Sequence, residues 1–184
     1  MKSELGSGVE INWRSFALEQ VNSKEPPEWK AWEQGPDYES RGLLALSAAE
    51  AARRQGDEVH WQFTLALLKA RHIDRRDLRD RTVVVEVARE SGLDMDRFER
   101  DLGDPEVLRQ IGSDHEEGAA QGVFGTPTYV FEDAPPAFLK MYIPPEEQTT
   151  EAWEHVAGLA RGLKFFGELK RPQPPWPRGV FEDS

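Results

Sequence analysis

Asp114-His115-Glu116-Glu117-Gly118-Ala119-Ala120-Gln121-Gly122-Val123-Phe124-Gly125-Thr126-Pro127-Thr128-Tyr129-Val130-Phe131 begins in one hydrophobic period and ends in another. Just upstream, Asp104-Pro105-Glu106 supplies an N-cap, a proline at the first helical position and an acid in the first turn. That start predicts a helix carrying Val107, Leu108, Ile111 and Ala119 and ending near Gly122. Thr128 to Phe131 is apolar, aromatic and β-branched, and predicts a strand. Between them, Gly125-Thr126-Pro127-Thr128 taken alone is a turn that leads into the strand. Only about one X–Pro bond in twenty is cis in folded proteins, so the bare tetrapeptide predicts no particular isomer.

Working outward, Ala134-Pro135-Pro136 reads as a turn, Phe138 to Ile143 as a second strand, and Pro144-Pro145 as its end. Thr149 or Thr150 can cap a last helix with the stripe Trp153, Val156, Ala160 and Leu163, and Lys164 and Lys170 suit its C-terminal end. The tail Pro172 to Pro177 cannot be helical. Upstream, Val9-Glu10-Ile11-Asn12-Trp13-Arg14-Ser15-Phe16 alternates apolar and polar and predicts a strand, with Gly6-Ser7-Gly8 as a turn before it. Pro26-Pro27, Trp29, Trp32 and Gly35-Pro36 form a loop whose tryptophans pin it to the body. Leu43, Leu44 and Ala48 predict a helix ending near Gly56, and Val59, Phe63, Leu67 and Ala70 mark a second. Val83-Val84-Val85 favours a strand locally, but Gly92 sits where a helix C-cap belongs, so Thr82 to Ser91 is read as helix. Met95, Phe98 and Leu102 make a short helix. No internal repeat and no second domain is evident, and a strand pair after a helical block fits an α/β or α+β layer fold.

The 184 residues suit one domain able to bury a core. A net charge of −11 argues against nucleic acid and against anionic membrane surfaces, both of which need cationic protein. No apolar run approaches a membrane span, and Met1 to Gly6 has no signal-peptide core, so the cytoplasm is expected. The sequence has no cysteine, which removes disulfides, thiolate metal sites and a cysteine nucleophile from these residues.

A helix that ends in Gly-Val-Phe-Gly-Thr-Pro-Thr and runs into an apolar strand resembles the cis-proline loop of the DsbA family. Val9 to Phe16 resembles that family's second core strand, and Phe166-Gly167-Glu168-Leu169-Lys170-Arg171-Pro172 the C-terminal end of its actinobacterial, FrnE-like and mycothiol-dependent members. The resemblance implies an α/β, thioredoxin-like (DsbA-type) core over residues 8–35 and 104–171, an inserted all-helical block over 36–103 and a proline-rich tail over 172–184. It also implies a cis Pro127 and a substrate-binding loop of Gly125, Thr126, Pro127 and Thr128, with His115 and Phe124 as lining residues. One departure stands out. The family opens with a strand, a Cys-x-x-Cys motif and a helix, whereas only eight residues precede Val9 here. The first core strand and helix are thus expected to be missing. A sheet without that central strand leaves ladders unpaired, and a strand from a second copy, in a homodimer, is one way to fill the gap.

Other constellations are weaker. Asp114, His115, Glu116 and Glu117 lack a second histidine at i+4, and adjacent helix residues point in different directions, so no metal site is expected. His115 reads as part of a polar helix face, and His60, His72 and His155 as surface or edge residues. Gly112 to Gly118 lacks the Lys-Ser/Thr of a phosphate loop, and Asp94-Met95-Asp96 the rest of a calcium loop. Ser15 reads as an ordinary strand residue.

The family resemblance therefore implies a thiol–disulfide oxidoreductase lineage with no catalytic residue in this sequence. Two alternatives belong to other classes. The loop can serve a module that binds a peptide or a small thiol or disulfide, glutathione or mycothiol included, by strand-like pairing. Kappa-type glutathione transferases and hydroxychromene-carboxylate isomerases share the fold, and there the sulfur belongs to the ligand.

Overall fold

The computed structural model describes residues 11–35, 37–141 and 144–168. The chain divides into two compact units, one running from Arg14 to Ala120, the other taking up the chain from Gln121 together with the residues up to Trp13.

The first unit is helical. A short α1, Leu18–Val21, and a 3-10 turn, Ala31–Glu33, precede α2 Leu43–Arg53, α3 Asp57–His72, α4 Arg81–Glu90, α5 Met95–Leu102 and α6 Pro105–Ala120. Buried Ala48, Ala51 and Ala52 give α2 a face of small side chains, against which α3, α5 and α6 pack. Phe63 and Phe98 meet edge to face, centroids 5.7 Å apart, in the larger core cluster. The valine run is helical because burial overrides local β-preference. Val84, Val87 and Ala88 share the buried face of α4, while Asp80 caps its start by accepting the Thr82 N–H at 2.8 Å. Asp104 starts α6 in the same way, accepting the Glu106 N–H at 2.9 Å. A second buried cluster joins Ala17, Ala31, Trp32 and Leu43 to Val107 and Ile111 of α6. Trp32 thus anchors the irregular loop, with Trp29 packed at the cluster's edge.

The second unit holds a hairpin, β1 Thr128–Phe131 with β2 Ala134–Phe138, followed by α7 Thr149–Ala157 and a π turn, Gly158–Gly162. Gly122, at φ +88°, takes the chain out of α6 in a conformation that favours glycine. The strands are antiparallel, pairing Thr128 with Phe138 and Phe131 with Ala134 across a bulge. Tyr129, Phe131 and Trp153 cluster on one side, and Arg161 lies over the Phe131 ring while binding Asp133.

Several expectations need correction. The second strand is Ala134–Phe138, so Ala134-Pro135-Pro136 is strand and Glu132-Asp133 is the turn. Prolines lack an N–H but are tolerated where only one side of a strand is paired and the ladder is bulged, as holds among the described residues. Ile143 lies outside the described residues. Ile11 to Phe16 enters no ladder among the described residues, and Val9 and Glu10 lie outside them. The physical reason is that the Ser15 and Ala17 N–H groups are bound by side chains of α6. Neither Thr149 nor Thr150 caps α7, whose N-cap Gln148 makes no side-chain bond. Thr149 instead donates its hydroxyl to the Pro145 carbonyl at 3.3 Å. Ala160 falls in the π turn, and the Lys164 ammonium donates to the Asp133 carbonyl. Lys170 and the tail from Pro172 lie outside the described residues.

Candidate functional site: a cis-proline loop and a buried polar network

The loop before β1 is held by its own backbone. The Thr126–Pro127 peptide is cis. The Thr128 hydroxyl donates to the Gly125 carbonyl at 2.7 Å, and the Leu139 N–H donates to the Pro127 carbonyl at 3.1 Å. Gly125 is buried so closely that a Cβ would come 3.2 Å from the Phe138 ring. Thr126 and Pro127 are exposed, and Phe124, 64% exposed, stacks obliquely on Phe138 with centroids 5.2 Å apart. Among the described residues β1 is paired on one side only. The loop therefore presents an exposed backbone corner, two aromatic rings and a strand edge that no described residue pairs.

His115 belongs to the helical unit and has a different setting. It is not on a polar face but buried, its ring stacked 4.3 Å from Phe16 and 5.0 Å from Trp32. Its Nδ1 accepts the Ala17 N–H at 3.2 Å, which requires that nitrogen to be unprotonated. Burial, helped by the charge of Lys30 and opposed by Glu116, pushes its pKa below the usual histidine value. His60 is buried too, against expectation, and burial followed by the Arg53 charge lowers its pKa. Its place on the core face of α3 explains this, one helical turn before Phe63. His72 and His155 are exposed.

Beside His115, Asp114 accepts from Arg14 at 2.9 Å, from the Ser15 N–H at 3.0 Å and from Gln110 at 3.0 Å. The Ser15 hydroxyl donates to Glu50 at 2.8 Å, and Arg53 Nε donates to the same carboxylate at 2.9 Å. Ser15 is therefore a buried node between two carboxylates rather than an ordinary strand residue. The signal in the sequence is Glu50, a lone charge inside the small-residue run Ala48 to Ala52. Among the described residues no three His, Asp or Glu side chains converge as metal ligands would. No helix among them is long and apolar enough to cross a membrane.

The model of the DSBA-like thioredoxin domain matches residues 2–148. The uncharacterized protein Rv2286c of Mycobacterium tuberculosis is 27% identical over 173 residues, which cover 91% of this chain and 71% of that one. The ClpXP adapter protein SpxH of Bacillus subtilis is 26% identical over 119 residues, 65% of this chain and 39% of the adapter. Among solved structures, a protein disulfide isomerase candidate from Nitrosomonas europaea aligns at 17% identity and a TM-score of 0.46, covering 62% of this chain and 58% of that one. With the family model spanning far more than half of its length, this chain belongs to the DSBA-like thioredoxin domain family.

Proposed function

We propose that the protein captures an extended peptide, or the peptide backbone of a low-molecular-weight thiol such as glutathione or mycothiol, along the loop Gly125–Thr128 and the edge of β1 that no described residue pairs. The single observation that supports this reading is that, among the described residues, β1 is paired on one side only, beside the exposed Thr126 and Pro127. An unpaired strand edge offers alternating N–H and C=O groups to an incoming extended chain. Phe124 and Phe138 flank the same loop and give an apolar side chain somewhere to lie. Thiol–disulfide exchange needs an attacking and a leaving thiolate. These 184 residues contain no cysteine, so any sulfur in the exchange is brought by what binds.

Amide NMR shifts on titration with a cysteine-free extended peptide, and separately with reduced glutathione, test the reading. Saturable shifts at Thr126, Thr128 and Val130 are expected with at least one of the two. A spectrum unmoved at these residues by either ligand at millimolar concentration sinks it.

A further inference from the structure

The helical unit contains a polar cleft of about 280 Å³ lined by Arg14, Glu50, Arg53, Arg54, Glu106, Val107, Gln110 and Asp114. We propose that this cleft binds a free neutral α-amino acid, its carboxylate on the Arg14 and Arg54 guanidiniums and its ammonium on Glu106.

The argument begins with how the arginines are held. Asp114, whose side chain is 2% exposed, binds one N–H of Arg14 at 2.9 Å, and Asp104 binds one N–H of Arg54 at 2.7 Å. Glu117 and Asp101 stand farther off, at 4.0 and 3.7 Å. A guanidinium carries five N–H donors in a rigid fork, so a carboxylate that secures one side orients the remaining donors. Arg14 is half exposed and Arg54 one-third exposed, so both reach open space while anchored on fixed acceptors. Such a pre-oriented fork suits a second, incoming carboxylate.

Charge selects the ligand class. The lining holds three guanidiniums and three carboxylates. A simple anion would approach a chain of net charge −11. Of the carboxylates, Glu50 is already bound by Ser15 and Arg53 and Asp114 by Arg14, Ser15 and Gln110, which leaves Glu106 to turn to a cation. A zwitterion matches both signs and carries no net charge. Glu106 is more than half exposed at the rim, and its present partner, Arg109, is itself a surface residue. At about 280 Å³ the cleft is large enough for a small zwitterion. Glu50 and Asp114 are kept in place by Ser15, which binds both. The floor is thus assembled before any ligand arrives.

The test uses the full chain. Alanine, leucine, glutamine and phenylalanine are titrated while the arginine Nε–Hε resonances and binding heats are followed. The N-acetyl and amide derivatives of the best binder are then compared with it. Saturable shifts at Arg14 and Arg54 are expected, with at least tenfold weaker binding once either terminus is blocked. E106Q, at an exposed position, should keep the fold and weaken the amino acid at least fivefold, and R14Q should weaken it further. The proposal is overturned if none of the amino acids saturates. It is equally overturned if the N-acetyl form binds as well as the free one, or if E106Q leaves the affinity unchanged.

Discussion

Gly112 and Trp32 compete for one volume. A Cβ on Gly112 would lie 2.4 Å from the indole Nε1 of Trp32, so helix α6 and the loop anchor meet with no side chain between them. Alanine in place of glycine inside a helix ordinarily gains about 1 kcal/mol. Here the added methyl must displace a buried ring that also packs on His115, and overpacking of that kind costs about 1–3 kcal/mol. Gly112→Ala is therefore expected to destabilise the protein in urea melts. A variant that melts higher than the parent would show that the indole yields freely.

Removing the Asp114 carboxylate should cost more than neutralising it. Asp114→Ala leaves the buried Ser15 N–H without its acceptor, a loss of about 1–3 kcal/mol. Arg14 is half exposed and returns to water, which keeps the total at the lower end of what breaking a buried pair costs. Asp114→Asn keeps one acceptor oxygen and should lose less. Chemical denaturation of both variants gives the comparison, and equal losses would place the energy in the charge rather than in the backbone bond.

Acid should weaken the fold in the histidine range. His60 and His115 both hold their protons less tightly folded than unfolded, because burial opposes the charged form. The unfolded chain therefore binds more protons than the folded one between the two values, and acidification favours it. Stability from these groups is complete above the usual value of 6.5 and declines as pH falls through it toward the depressed folded values. Protonation of His115 also removes the acceptor for Ala17. The carboxylates of Asp77, Asp104 and Asp133, which are held down by arginine partners, act in a lower window. Urea midpoints should drop between about pH 7.5 and about pH 5.5. A midpoint that stays level or rises over that interval would contradict the assignment.

Insulin reduction by the purified chain should not exceed the background of the added reductant, since none of its residues can become a thiolate. Turnover that scales with protein concentration would refute this.

Much of the architecture was legible because it follows from periodicity and end signals. Asp104-Pro105-Glu106 and the helix-ending Gly92 mark helices that the structure contains, and Thr128 to Phe131 is a strand. The hairpin's second strand falls elsewhere than expected because a double proline reads as a break, while among the described residues that strand has a neighbour on one side only. The segment around Ser15 was misread for a related reason. Alternation shows which side chains turn inward, but not whether the backbone finds a strand or a helix beside it. The loop residues Gly125 to Thr128 were legible as a unit through resemblance. The Ser15–Glu50–Asp114 network was not, because its members are 35 and 99 positions apart and nothing in a local window joins them.

The side chains of Asp114 and His115 do work that a neighbouring strand would otherwise do. In extended chain every second N–H points the same way. Ser15 and Ala17 are so related, and α6 takes both donors, one with a carboxylate and one with an imidazole. A row of free donors is what allows one copy of a protein to stack on the next in a growing fibril. Here the row is shut by two residues adjacent on one helix, so damage at either position opens a seam for aggregation even where the rest of the fold survives.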